Sequence, residues 1–373
     1  MRKILLIIAL GLSLATARSF AVEGEDSEFG PDVWIHPDIE RLMEVNDAEV
    51  DIQLDNPNLK GAPAIVVDGE KRLTGFKPSR KQYEGAVFRD FLIWKGKSAG
   101  VEPPDELDYT VIAPPKVVAQ QCGDCWAQGA AMAFEGVIGW LDKVSRDISR
   151  QAIIDCSGSG SCGGGYATAV RFFEAPNKGA VYTSDYPYKG YDQRCKTASL
   201  IRKEQARGTG FIRSSGGGRP TVPDLQRALM ETGPLEVCGA ASSLGGSDRD
   251  GFILSNRPGG TNHCYALYGW LEGAKHGKPA GIYGIIVNSW GKDWAKDGIV
   301  YVRLAKDNIN LDGSVITEAA YIDYKDPVPP EPLLMDVKVG KANLKIRIEP
   351  KFVSKKDMYL EQIKKAISIV EGK

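Results

Sequence analysis

Gln120-Gln121-Cys122-Gly123-Asp124-Cys125-Trp126-Ala127 is the stretch on which the reading of this chain turns. Turn-forming residues stand just before Cys125. Met132, Ala133, Val137, Trp140 and Leu141 follow at helical spacing, so a helix is expected to begin near the second cysteine. A thiol at a helix N-terminus faces unpaired backbone N–H groups and the positive end of the helix dipole, which favours its thiolate. A thiolate nucleophile then needs a base, and the rest of the chain is read for one.

With 373 residues and a net charge of −1, the chain has length for one large or two medium domains. That charge balance argues against nucleic acid or an anionic membrane as the main partner. Arg2 and Lys3 precede an apolar run, Ile4 to Leu14, too short to span a bilayer. Small residues follow, with cleavage expected after Ala17 or Ala21, so residues 1–21 read as a signal peptide. The expected location is secreted or another extracytoplasmic compartment, periplasmic or lysosome-like, with no membrane anchor after signal removal. Outside the cytosol cysteines tend to pair. The seven are Cys122, Cys125, Cys156, Cys162, Cys195, Cys238 and Cys264, so three bridges and one free thiol is the economical solution. Spacing does not say which pair.

Residues 22–100 form a pro-segment or N-terminal extension. Within it, a short helix is expected at Asp38 to Val45, a strand at Ala64 to Asp68 and a helix over Gln82 to Trp94. Residues 101–325 carry the chemistry. After the Cys125 helix comes a glycine run from Cys156 to Tyr166 that needs crosslinks to stay ordered, then a helix from about Ala167 to Glu174. A helix at Val222 to Glu231 precedes strand-like runs at Pro234 to Cys238, His263 to Trp270, Gly281 to Trp290 and Ile299 to Leu304. A helical half followed by a β half indicates an α+β chain. Residues 326–373 start as a stiff proline linker and continue as a C-terminal extension, with one or two strands over Leu333 to Pro350 and an amphipathic helix over Ser354 to Val370.

A nucleophilic cysteine needs an imidazole within reach and a third group to orient it. Of three histidines, His36 lies in the N-terminal segment and His276 in a Gly/Lys loop. His263 opens an apolar strand, and Asn288-Ser289-Trp290-Gly291 ends another 25 residues later. Asparagine can accept the imidazole N–H and hold one tautomer; Trp290 can shield that bond from water. A thioredoxin-like βαβ pattern around Cys-x-x-Cys is missing, and so is a second ligand pair at zinc-site spacing. No metal site is expected.

Cys122-Gly-Asp-Cys125-Trp126, with His263 138 and Asn288 163 residues beyond Cys125, resembles the papain/cathepsin-like cysteine peptidase family. Asp155-Cys156, Cys162-Gly-Gly-Gly-Tyr166, Tyr186-Pro-Tyr188 and Trp294 strengthen the resemblance, which spans about residues 103–325. It implies a papain-like two-subdomain fold, one helical and one β-barrel-like, with the active-site cleft between them. It implies Cys125 as nucleophile, His263 as general acid/base, Asn288 as its orienter and Trp290 as its cover. It implies a glutamine side chain in the oxyanion hole, Gly164 and Gly165 beside the substrate backbone, and bridges Cys122–Cys162 and Cys156–Cys195. Cys238 and Cys264 fall at the pocket for the second residue before the scissile bond, as a third bridge or two buried thiols. Glu318 falls at that pocket's floor, where a buried carboxylate would admit a basic side chain; a solvated surface glutamate is the other reading.

Three departures stand out. Position 119, where the family's glutamine is expected, is Ala; Gln120 is favoured over Gln121 as its replacement. Asp124 replaces a small residue beside the nucleophile, and either raises the thiol pKa or points to solvent. Gln128-Gly129 replaces an aromatic and a serine in the helix's first turn. The expected function is an exported cysteine endopeptidase, a hydrolase made as a zymogen. It acts on peptide or protein substrates, has its own N-terminal segment as inhibitor, and needs no metal or organic cofactor. The alternatives are a catalytically weak papain-like scaffold, or an acyltransferase or peptide ligase on the same triad.

Overall fold

The computed structural model describes residues 62–325 apart from 79–82, 84, 94–95, 97, 99, 175–178, 197–201, 215–217, 256, 306–310 and 313, together with the backbone of a hairpin within 333–348. The expected signal peptide, the helix at Asp38 to Val45 and the tail helix over Ser354 to Val370 lie outside the described residues.

The described residues open with the hairpin β1 (Ala64–Val67) and β2 (Glu70–Leu73), turned at Asp68-Gly69 where both residues adopt positive φ. Then come β3 (Phe88–Arg89), β4 (Leu107–Asp108) and a single turn of helix, α1 (Tyr109–Ile112). The long helix α2 runs Cys125–Asp142 and ends on Lys143 in the left-handed conformation, whose N–H closes onto the Gly139 carbonyl. Every residue from Cys125 to Gly139 is buried, so α2 is an interior helix. α3 (Arg150–Cys156) is capped by Ser149 Oγ, and the small pairs β5 (Gly160–Ser161) and β6 (Gly164–Gly165) fold the glycine run. A 3-10 helix occupies Ala167–Phe173, and β7 (Ala180–Val181) pairs β8 (Arg202–Glu204).

The second half contributes β9 (Gly208–Ile212), α4 (Val222–Thr232), β10 (Leu235–Gly239), β11 (Phe252–Ile253), β12 (His263–Glu272), β13 (Ile282–Val287), β14 (Ile299–Arg303) and β15 (Glu318–Asp323). A Thr221/Asp224 capping box and a proline in the first turn start α4. The sheet order is β11-β14-β13-β12-β10-β15-β9-β3, with β4 also on β12. α2 packs on β12 and β10. Contact is close: Gly129 lies against Glu236 and the Tyr265 backbone, and Tyr268 Oη donates to the Met132 carbonyl at 2.7 Å. The helical half and the sheet half thus meet along the first turns of α2. The tail forms an antiparallel hairpin, β16 (Leu333–Val339) with β17 (Ala342–Ile348).

One expectation fails. Residues 88–89 are a strand parallel to β9, not part of a helix over Gln82 to Trp94. The apolar residues there have mixed spacing, and the β9 edge supplies backbone partners that a sequence pattern does not reveal.

Candidate active site

Cys125 is the first residue of α2 and the one free cysteine; its thiol is fully buried. Burial, helped by the nearby carboxyl groups of Asp124 and Glu236, pushes the thiol far up, against backbone N–H groups of Cys264 and Trp126 that favour its thiolate.

His263, directly before Cys264 on β12, is fully buried. Its Nε2 lies 2.8 Å from Asn288 Oδ1, which also accepts the Ser289 N–H. An oxygen accepting two bonds puts the proton on Nε2 and leaves Nδ1 as the acceptor. Nδ1 has no hydrogen-bond partner among the described residues. The Trp290 ring stacks on the imidazole at 4.9 Å and 16°, and Trp294 meets Trp290 edge-on. Burial lowers the His263 pKa to about 4, against the opposing bond from Asn288.

Gln120 and Gln121 point apart. Gln120 is buried; its Oε1 accepts Ser289 Oγ at 2.6 Å, and its Nε2 donates to the Cys122 carbonyl at 2.9 Å and the Thr74 carbonyl at 3.3 Å. Gln121 is exposed, with its side chain against Gly190. Ser289, which holds Gln120, is a residue the sequence reading passed over although it stands inside Asn288-Ser289-Trp290-Gly291.

The N-terminal segment crosses this site. Gly75 and Phe76 donate to the Asn262 carbonyl, Lys77 N–H to Gly165 O at 2.8 Å and Gly165 N–H to Gly75 O at 2.8 Å. Phe76 therefore pairs with Gly165 in the parallel sense. A side chain at Gly75 would collide with the Gly123 carbonyl, so only glycine lets the strap lie this close. Trp290 Nε1 donates to Leu73 O at 2.8 Å, and Arg72 lies over the Trp290 ring. Farther on, β3 adds to the sheet edge, and Arg227 binds the carbonyls of Ser98 and Val101.

Asp124 does not reach solvent. Its Oδ2 accepts from Tyr188 Oη at 2.8 Å and Gln128 Nε2 at 2.9 Å, and burial outweighs both in raising its pKa to about 6. Glu318 is buried as well. It takes two bonds from Arg213, at 2.7 and 3.1 Å, and one from Tyr83. A basic substrate side chain would find no free carboxylate there.

Disulfides join Cys122 to Cys162, Cys156 to Cys195 and Cys238 to Cys264. The first two tie the glycine run to the start of α2 and to the 186–195 turn; the third links directly opposed residues of β10 and β12. Glu236, Cys238 and Cys264 cluster with ligand atoms within 4.8 Å, but the disulfide consumes both thiols and leaves one carboxyl, too few donors for a metal. No helix among the described residues is long and apolar enough to cross a membrane.

Residues 104–321 match the family described as papain family cysteine protease. The chain is 32% identical over 228 residues to cysteine proteinase 3 of Entamoeba histolytica, covering 58% of this chain and 68% of that one. It is 30% identical over 254 residues to cathepsin K of Mus musculus, covering 65% and 70%. Among solved structures, the bromelain protease from Ananas comosus in complex with the E64 inhibitor superposes with a TM-score of 0.50 at 23% identity, covering 60% of this chain and all of that one. The ragweed allergen Amb a 11 cysteine protease in its proform gives 0.55 at 21% identity over 79% and 87%. The chain belongs to the papain family of cysteine proteases.

Proposed function

We propose that this cysteine peptidase is exported and made as a zymogen, with Cys125, His263 and Asn288 as its catalytic residues and Gln120 completing the oxyanion hole. In the mechanism, His263 Nδ1 takes the Cys125 proton and the thiolate attacks the substrate carbonyl. The Cys125 backbone N–H and Gln120 Nε2 hold the developing oxyanion. His263 then protonates the leaving amine and, after it departs, activates the water that releases the acyl group. Asn288 keeps the ring in the tautomer that makes Nδ1 the base, and Trp290 keeps water off that bond. Gly164 and Gly165 give the substrate backbone the edge that the strap now uses.

The observation that carries this reading is the strap itself. Residues 73–77 bind the groups a substrate would need: Gly165 for its backbone, Gln120 for a carbonyl oxygen and Trp290 beside His263. Residues up to about 100 then act as the pro-segment, and the three disulfides fit an extracytoplasmic compartment. The same strap would serve a scaffold that never turns over; the two readings part on whether the segment leaves. In the test, the full chain is incubated with a peptide library, and its mature N-terminus is sequenced. Hydrolysis that a thiol-alkylating epoxide blocks, and that falls about 10⁴-fold or more in Cys125→Ala, is expected. Full activity in Cys125→Ala would refute the mechanism; an intact N-terminus without turnover would favour the scaffold.

A further inference from the structure

Asp124 and Gln128 are both unusual for this chain's family, and the structure joins them. Tyr188 Oη accepts the Gln121 N–H and donates to Asp124 Oδ2. Gln128 Nε2 donates to the same oxygen, and Gln128 Oε1 accepts from Arg150 Nε at 3.3 Å. Arg150 is clamped by Glu135. A buried polar chain therefore runs from the turn at Tyr188, through the residue before the nucleophile, into the middle of the helical half. Its one gap is Asp124 Oδ1, buried and without a hydrogen-bond partner among the described residues. An unpartnered carboxylate oxygen in that setting is a place for a proton.

We propose that Asp124 is a positioning residue that governs ionisation of Cys125: charged, it opposes the thiolate beside it; protonated, it releases that opposition. The inference rests on Cys125 being the nucleophile.

The charges around the pair support the assignment. Asp124 is faced by Tyr188 from the 186–190 turn, by Gln128 on the helix it precedes, by its own backbone N–H, and by Arg150 from α3, itself matched by Glu135 and Asp147. The thiol is faced by Asp124, by Glu236 from β10 and by the Cys264 N–H on β12. Glu236 is fully buried with both carboxyl oxygens unpartnered among the described residues, and burial, with the nearby Glu318, pushes its carboxyl well above the usual range. Asp124 is then the acid that changes charge next to Cys125 between mild acid and neutrality, with a pKa of about 6. His263 is shifted by burial and Asn288 instead, so the charge on Asp124 weighs on the thiol more than on its base.

Asp124→Asn keeps acceptor Oδ1 for Tyr188 and Gln128 and removes the titration. Full-length wild type and Asp124→Asn are treated with iodoacetamide between pH 4.5 and 8, and modification of Cys125 is followed by mass spectrometry. Equal rates are expected at pH 4.5, with the variant about threefold to fivefold faster above pH 7: a like charge moves a thiol pKa on the order of one unit, and lower thiolate nucleophilicity takes back part of the gain. A ratio that does not change with pH overturns the proposal, since a merely structural role gives a constant factor. Tyr188→Phe, which removes one donor from the carboxylate, is the second variant; the pH at which its rate falls behind Asp124→Asn is expected to move up, and an unmoved value counts against the proposal. Alkylation needs no turnover, so a wild-type chain that follows the expected rates yet cleaves no peptide refutes the peptidase mechanism and leaves this inference standing.

Discussion

Among the described residues, the helical half and the sheet half each bury one arginine–glutamate pair, and the two are finished differently. Arg150 draws its partners from residues 116–150: Glu135, Asp147, Gln128, and the carbonyls of Ile148 and Lys116. Arg213 holds Glu318 and the Ile212 carbonyl, but its guanidinium also lies over the rings of Tyr83, Phe88 and Phe211, and Tyr83 Oη donates to Glu318. Tyr83 and Phe88 belong to the N-terminal segment. The pair in the half that carries Cys125 is thus complete by itself, whereas the pair in the half that carries His263 is completed by a piece proposed to leave. Departure would alter the pocket floor around Glu318 and leave the bracing of α2 alone.

The hardest blow to this contrast is Arg150→Met. Removing one partner of a buried pair strands the other charge, and about 3–5 kcal/mol of stability should be lost in urea unfolding. A loss under about 1 kcal/mol would show that the helical half is not braced by the pair.

The two halves also differ in proton linkage. His263 has a folded pKa of about 4, below its unfolded value of about 6.5, so its contribution is present above pH 6.5 and lost as pH falls toward 4. Asp124 has a folded pKa of about 6, above its unfolded value of about 3.9, so its contribution is present at acid pH and lost as pH rises toward 6. Each is worth up to about 3 kcal/mol, and the two nearly cancel. Asp124→Asn should therefore unmask a fall in thermal stability between pH 6.5 and 4, steeper than in wild type. Parallel profiles for the two proteins would show that the linkage does not divide between the halves in this way.

The gentlest probe is Tyr83→Phe. Losing its bond to Glu318 should weaken docking of the segment by about 1 kcal/mol. Peptidase activity of the full chain should rise about fivefold for the same reason. Unchanged activity would mean that the sheet half is as self-sufficient as its neighbour.

Chain order alone made much of this site legible. Cys125 heads a helix, His263 heads a strand and Asn288 ends another, and local sequence reports each of those positions well. The sequence favours Gln120 over Gln121 without deciding between them, because one residue of slip turns a side chain from the cleft to solvent; the contact that distinguishes them is Ser289, 169 residues away. Asp124 read equally well as exposed, since what buries it is Tyr188, 64 residues on. Cys238 and Cys264 remained open for a related reason: their bridge follows from the register of β10 on β12, and a shift of one residue would have set them on opposite faces. Glu318 is a carboxylate in any reading, but only the pairing of β15 with β9 brings Arg213 alongside it.

β3 is the last strand of the sheet and covers the edge of β9. The N–H groups of Phe211 and Arg213 are satisfied by the carbonyls of Val87 and Arg89, at 2.8 and 3.0 Å. Peeling the segment away bares those donors along β9, beside the aromatic surface of Phe211. An uncovered strand edge of that kind is a template for another extended chain. While the segment remains attached, the five-residue edge of β9 is replaced by the two-residue edge of β3, a far shorter template.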